Sequence, residues 1–152
     1  MPIGKPFQEC QWELGPIADD LQLTLSASFW EDEASTVPAP SVVSAGETFY
    51  VKVEWSLTGG LKRHFCGKWR VKIDLESIGI ADEYTSDLIE IDMDPCKDDP
   101  YSHKFSLTAG TLNPHPGGTV YLVATTLSSL DPCDDPGHIW GYCEGPSVMF
   151  VP

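Results

Sequence analysis

Apolar and polar residues alternate with a period of two along most of this chain. In DLQLTLSASFW (20–30), Leu21, Leu23, Leu25, Ala27 and Phe29 share one face, and Gln22, Thr24, Ser26 and Ser28 share the other. Successive side chains of a strand point to opposite faces, so such a run predicts a half-buried β-strand. GETFYVKVEWSL (46–57) repeats the pattern, with Phe49, Val51, Val53, Trp55 and Leu57 inward. GKWRVKIDLESIG (67–79) puts Trp69, Val71, Ile73 and Leu75 inward and Arg70, Lys72, Asp74 and Glu76 toward water. Shorter runs follow at 87–93 (Ile89, Ile91, Met93) and at 103–110 (Phe105, Leu107). The run at 119–130 is apolar on both faces at its start, as a central strand can be. PSVMFVP (146–152) is the last, with Val148 and Phe150. Helical periodicity is absent beyond a short turn near 79–86.

Pro-, Gly- and Asp-rich stretches separate these runs. About seven short strands with half-buried faces predict an all-β fold, an antiparallel immunoglobulin-like β-sandwich with long loops at one end. Residues 1–19 read as a lead-in and 20–152 as the sandwich domain. The Pro-rich segment 31–45 reads as a connection with room for a short edge strand, and Trp30 is expected at that end.

Within this frame AGETFYVKVEW resembles the second strand of bacterial immunoglobulin-like or fibronectin-III-like modules. Trp69 falls where such folds place a core Trp on the third strand. PGGTVYLVATT resembles the sixth strand, with Tyr121 near the tyrosine-corner position. The resemblance implies an architecture and no activity. Antibody domains carry their inter-sheet cysteines within the second and sixth strands. Here Val51, Val53 and Val123 stand in those strands.

The formal charge of the 152 residues is −14, from 23 acids against 9 bases. That excludes nucleic acid as the expected partner, because phosphate binding needs a basic face. It also disfavours an anionic membrane surface. The apolar runs are too short for membrane insertion. The first residues hold one lysine and no apolar stretch, so no secretory signal is expected.

Strand alternation places the chemistry-bearing loops. Consecutive strands run in opposite directions, so 58–67, 93–102 and 131–145 all fall at one end. Two of these loops share a phrase, DPCKDDP at 94–100 and DPCDDPG at 131–137. Cys66, Cys96, Cys133 and Cys143 are thereby expected at that end, and Cys10 precedes the first strand. The leading reading is disulfides, Cys133 with Cys143 and Cys66 with Cys96, leaving Cys10 unpaired or tied to another chain. Such bridges favour an extracellular or cell-surface setting. The second reading is Ca²⁺, held by Asp94, Asp98, Asp99, Asp131, Asp134 and Asp135, with Glu144 nearby, since Ca²⁺ takes six to eight oxygens. Against it stands ordinary Asp-Pro turn chemistry. The third is zinc on the cysteines with His64, His103 or His138, though no C-x-x-C knuckle is present.

No nucleophile elbow, zincin, P-loop or Rossmann pattern occurs. No catalytic residues are therefore assigned, and no cofactor besides Ca²⁺ is indicated. The sequence points to a non-catalytic interaction or structural-assembly module, with a protein partner or a second copy of itself, presenting a disulfide-pinned acidic loop surface. The alternative is a carbohydrate-binding module using the aromatics Tyr101, Trp140 and Tyr142; a metal-dependent enzyme ranks below both.

Overall fold

A computed structural model describes residues 9–13 (backbone only), 21–38, 42–44, 46–79, 82–97, 99–108, 112 and 114–152. The fold is an all-β sandwich of two sheets. In chain order the strands are β1 (Glu9–Glu13), β2 (Gln22–Trp30), β3 (Val42–Ser44), β4 (Thr48–Thr58), β5 (Lys68–Ser77), β6 (Tyr84–Thr85), β7 (Ile89–Asp92), β8 (Tyr101–Thr108), β9 (Thr119–Leu130) and β10 (Trp140–Val151). The smaller sheet has the order β2-β4-β8. The larger runs β1-β10-β9-β5, with β3 also on β10 and with β6 and β7 both on β5.

The period-two runs became the core. Leu21 just before β2, Leu23, Leu25, Ala27 and Phe29 within it, and Phe49, Val51, Val53, Trp55 and Leu57 of β4 are buried against the larger sheet. That sheet answers with Trp69, Val71, Ile73 and Leu75 from β5, Tyr121, Val123 and Leu127 from β9, and Cys143, Val148 and Phe150 from β10. Burial of this kind contributes about 25 cal/mol per Å² of apolar surface, and it fixes register. A one-residue slip would turn every buried side chain of a strand outward. At one end of the core Phe49 packs on Phe150, ring centroids 5.1 Å apart, and Phe150 on Tyr121 at 5.0 Å. At the other end Trp55, Trp69 and Tyr101 meet in a three-ring cluster.

Four features differ from the sequence expectation. Glu9–Glu13, read as lead-in, is a strand paired antiparallel to β10. The short strand within 31–45 is β3, and it lies parallel to β10, so the sandwich is not wholly antiparallel. The turn expected near 79–86 contains β6, paired with β5 through Asp74↔Thr85 and Leu75↔Tyr84. Finally, the last strand begins at Trp140 and not at Pro146. A register shift between Glu144 and Ser147 interrupts its pairing with β9. Gly145 and Pro146 sit in that interruption, and a proline has no N–H to give to a ladder. The same two residues look like a strand boundary in sequence.

Candidate functional site

Two surfaces hold the candidate chemistry: the loop end of the sandwich and the outer face of the larger sheet. At the loop end three connections converge as the alternation argument requires. Lys68 opens β5 with Asp92 of β7 on one side and Leu130 of β9 on the other. The loops after β7 and β9 therefore leave the sheet on either side of the segment that enters β5. Gly67 is the hub. Its carbonyl accepts the Met93 N–H at 2.9 Å. Its φ is +124°, and a Cβ placed there would lie 2.1 Å from the Leu130 carbonyl oxygen. Only glycine fits both the dihedral and the approach.

The two DPC segments are turns built alike. Asp94 Oδ1 accepts the Cys96 N–H at 2.9 Å, and Asp131 Oδ1 accepts the Cys133 N–H at 2.8 Å. The backbone closes each turn, Lys97 N–H to the Asp94 carbonyl at 3.1 Å and Asp134 N–H to the Asp131 carbonyl at 3.0 Å. Asp131 Oδ1 also accepts the Asp135 N–H at 3.0 Å. These are Asx turns, in which the carboxylate imitates a backbone acceptor.

The disulfide expectation for this end is corrected. Cys66, Cys96 and Cys133 are exposed free thiols, so neither expected bridge pins the loops. Cys143 belongs to β10, fully buried in the core, with Sγ 3.5 Å from the Leu25 carbonyl oxygen. It pairs in register with Thr125 of β9 and with Cys10 of β1, whose side chain lies outside the described residues. Cys143 lies in a strand and not in the expected loop because β10 starts six residues earlier than its proline suggests.

No group of three or more His, Cys, Asp and Glu side chains is placed to hold a metal ion among the described residues. Asp98 lies outside them. Asp134 reaches Lys68 Nζ at 3.6 Å. Asp99 and Asp135 are exposed. Of the zinc candidates, His64 ends an exposed 3-10 turn (Lys62–His64), and His138 is exposed in the last loop. His103 is half-buried on β8 against Phe105, ring centroids 4.7 Å apart, and burial lowers its pKa below 6.5.

The three candidate ligand-binding aromatics are not neighbours. Tyr101 caps the core: its ring stacks on Trp55 at 5.7 Å and meets Trp69 edge-on at 5.9 Å. Its hydroxyl accepts the Asp94 N–H at 2.8 Å and donates to the Asp94 carbonyl at 3.1 Å. A depression beside it, lined by Leu57, Lys62, Phe65, Trp69, Met93 and Lys97 among others, encloses about 10 Å³, the room of one water molecule.

Trp140 and Tyr142 instead stand on the outer face of the larger sheet, two residues apart at the start of β10. Trp140 is 42% exposed, the one large aromatic so exposed among the described residues. Tyr142 donates to Glu144 Oε1 at 2.8 Å. Burial first, and then the neighbouring carboxylates Glu144, Glu76 and Asp74, push its phenol up to about 12. The register sets them in rows with β9 and β5. Tyr142 is opposite Thr126, which is opposite Lys72. Carrying the register one residue past the Gly141↔Leu127 pair brings Trp140 level with Ser128, which is opposite Arg70, which is opposite Glu90. Both cations are paired: Arg70 Nε lies 3.4 Å from Glu90 Oε1, and Lys72 Nζ lies 3.8 Å from Asp74 Oδ2. Arg70, Lys72, Thr126 and Ser128 escaped attention in sequence because each looks like the ordinary solvated face of a strand. Only the strand order makes them a surface.

No protein-family model matches the chain, and no curated protein matches it. Solved structures resemble it in fold. A β-glucosidase from Listeria innocua in complex with glucose matches over 87% of this chain, with 12% sequence identity and a TM-score of 0.50. A second structure of a β-glucosidase from Listeria innocua gives the same identity and coverage at 0.49. A β-glucosidase from Erythrobacter marinus matches 86% of this chain at 10% identity and 0.49. Each match covers 16% of the larger enzyme's chain. At such identities the likeness shows the fold alone.

Proposed function

We propose that this chain is a non-catalytic interaction module of immunoglobulin-like or fibronectin-III-like build, which recognises its partner with a flat sheet face. The strand order supports the build. β2, β4 and β8 form one sheet, and β10, β9 and β5 the core of the other, as the two sheets of that architecture divide their strands. Tyr121 supports it too. Its hydroxyl donates to the Leu112 carbonyl at 3.1 Å, nine residues upstream, and lies 2.8 Å from the Asp82 carbonyl. Burial, with Asp82 and Glu83 nearby, raises its pKa above 10.

The observation that carries the functional reading is the exposed ring of Trp140 among polar side chains on an otherwise regular sheet face. Aromatic rings set among adaptable polar groups are the usual composition of a recognition surface. The loop acids, by contrast, are engaged in shaping their own turns. The test is incubation of the full chain with chromogenic glycosides, esters and phosphates. No turnover above buffer is expected. Turnover that follows the protein through purification would overturn the non-catalytic reading.

A further inference from the structure

We propose that the outer face of the larger sheet is a platform for a neutral glycan chain. Trp140 is the ring on which a sugar stacks; Ser128, Thr126 and Arg70 supply the hydrogen bonds beside it. This inference rests on the interaction-module reading and names the ligand of that surface.

Three observations lead there. First, the groups are the right kind and are available. Among the described residues, the Trp140 indole N–H and the Ser128 and Thr126 hydroxyls have no hydrogen-bond partner. A sugar offers an apolar C–H face to a ring and hydroxyls that donate and accept to groups like these. Second, the spacing suits a chain of sugars. The row Trp140–Ser128–Arg70 crosses β10, β9 and β5, and adjacent strands lie about 4.8 Å apart. That step is close to the length of one hexose in a linear chain, so each sugar along the row meets a new strand. Third, the charge balance selects a neutral ligand. Arg70 and Lys72 face Glu90 and Asp74, which leaves no net cation for an acidic polymer. The whole chain, at −14, repels one. Arg70 held by Glu90 keeps its remaining N–H donors pre-oriented.

The test is affinity electrophoresis and calorimetric titration of the full chain against soluble neutral glucan, xylan, mannan and galactan. Retardation by at least one is expected, with little dependence on salt. Trp140→Ala should weaken it about tenfold or more, as loss of a central aromatic anchor does. Trp140→Tyr should restore much of it. Because Trp140 is exposed, the alanine variant is expected to fold, and an unchanged melting temperature confirms this. No retardation by any of the four polymers overturns the proposal, and so does retardation that Trp140→Ala leaves intact. Sedimentation separates the two readings. If no glycan binds but the chain self-associates in a Trp140-dependent way, the glycan falls and the interaction module stands. Turnover of the chromogenic panel would remove both.

Discussion

The two Asp-Pro-Cys turns have the same first three residues and two internal hydrogen bonds in common, but they are fastened to the sandwich by different means. The turn at 94–97 is latched by a side chain. Tyr101, seven residues on, takes the Asp94 N–H and gives its own hydrogen to the Asp94 carbonyl, while its ring closes the Trp55–Trp69 cluster. The turn at 131–135 is latched by backbone. Asp131 N–H donates to the Asp135 carbonyl at 2.8 Å, Leu130 bridges to Pro136, and Gly137 N–H donates to the Ser129 carbonyl at 2.8 Å. Beneath it the Ser129 hydroxyl donates to the Ile139 carbonyl at 2.8 Å and accepts the Ile139 N–H at 3.3 Å. Three residues are enough to write a turn. Where the turn is held is a property of the strands around it. The repeated phrase is thus explained by turn chemistry, with the leading carboxylate of each segment committed to backbone N–H groups.

The largest effect should come from the one residue both turns share. Gly67→Ala would set a methyl group into the Leu130 carbonyl at a positive φ, and the Met93 contact would move with it. A loss of about 3 kcal/mol is expected from combined strain and clash. Urea denaturation measures it. A loss below about 1 kcal/mol would mean that the loops are not tied through this point.

Next come the two latches, and here the comparison becomes quantitative. Ser129 is 6% exposed. Removing its hydroxyl in Ser129→Ala strands the Ile139 N–H and carbonyl in a buried place, at a cost of about 2 kcal/mol. Tyr101→Phe removes two hydrogen bonds from an exposed turn but keeps the stacked ring, and should cost about 1 kcal/mol. The ratio is the test. If Tyr101→Phe proves the costlier, the Tyr101 hydroxyl holds its turn more firmly than the Ser129 hydroxyl holds the segment beneath the other.

Much of this was legible beforehand, and the reasons separate cleanly. Burial of one face imposes period two, so the inward residues of β2, β4 and β5 were readable one by one. Strand alternation alone placed Cys66, Cys96 and Cys133 at one end. Cys143 was misplaced because Gly145-Pro146 interrupts β10 without ending it. Once Cys143 moves into the core, the disulfide expected with Cys133 has no partner at the loop end. β1 and β3 were hard to read because three to five residues carry too little pattern to be distinguished from a loop. Tyr101 was assigned to the surface on its position near a loop, but aromatic stacking with Trp55 and Trp69 is a contact between distant segments that sequence spacing does not show. Of the proposed glycan-binding face, Trp140 and Tyr142 were named from sequence as ligand-binding candidates, but Ser128, Thr126 and Arg70 were not. Its residues come from three strands, and only the β10-β9-β5 order makes them adjacent.

A smaller difference lies in the carboxylates themselves. Among the described residues, which leave out Asp98, Asp131 Oδ1 accepts two backbone N–H groups and Asp94 Oδ1 accepts one. Asp131→Ala should therefore cost about 1 kcal/mol and Asp94→Ala about half of that, both reduced by exposure to solvent. Equal losses would show that the second bond, to Asp135, adds nothing.

The smallest expected difference is between the thiols of the two turns. Cys96 and Cys133 each occupy the third position, each exposed, each donating its N–H to the aspartate two residues before it. Their local geometry is the same, whereas their fastening is not. If alkylation depends on the turn, iodoacetamide should modify both at rates within about twofold of each other under native conditions, because thiol reactivity follows exposure and local electrostatics. If it depends on loosening of the latch, the side-chain-held Cys96 should gain on Cys133 when Tyr101→Phe is introduced, while Cys133 stays unchanged. Peptide mass spectrometry over a time course reads both rates in one sample, with the exposed Cys66 thiol as the internal reference. Faster labelling of Cys133 than Cys96 in the Tyr101→Phe variant would reverse the assignment of the latches.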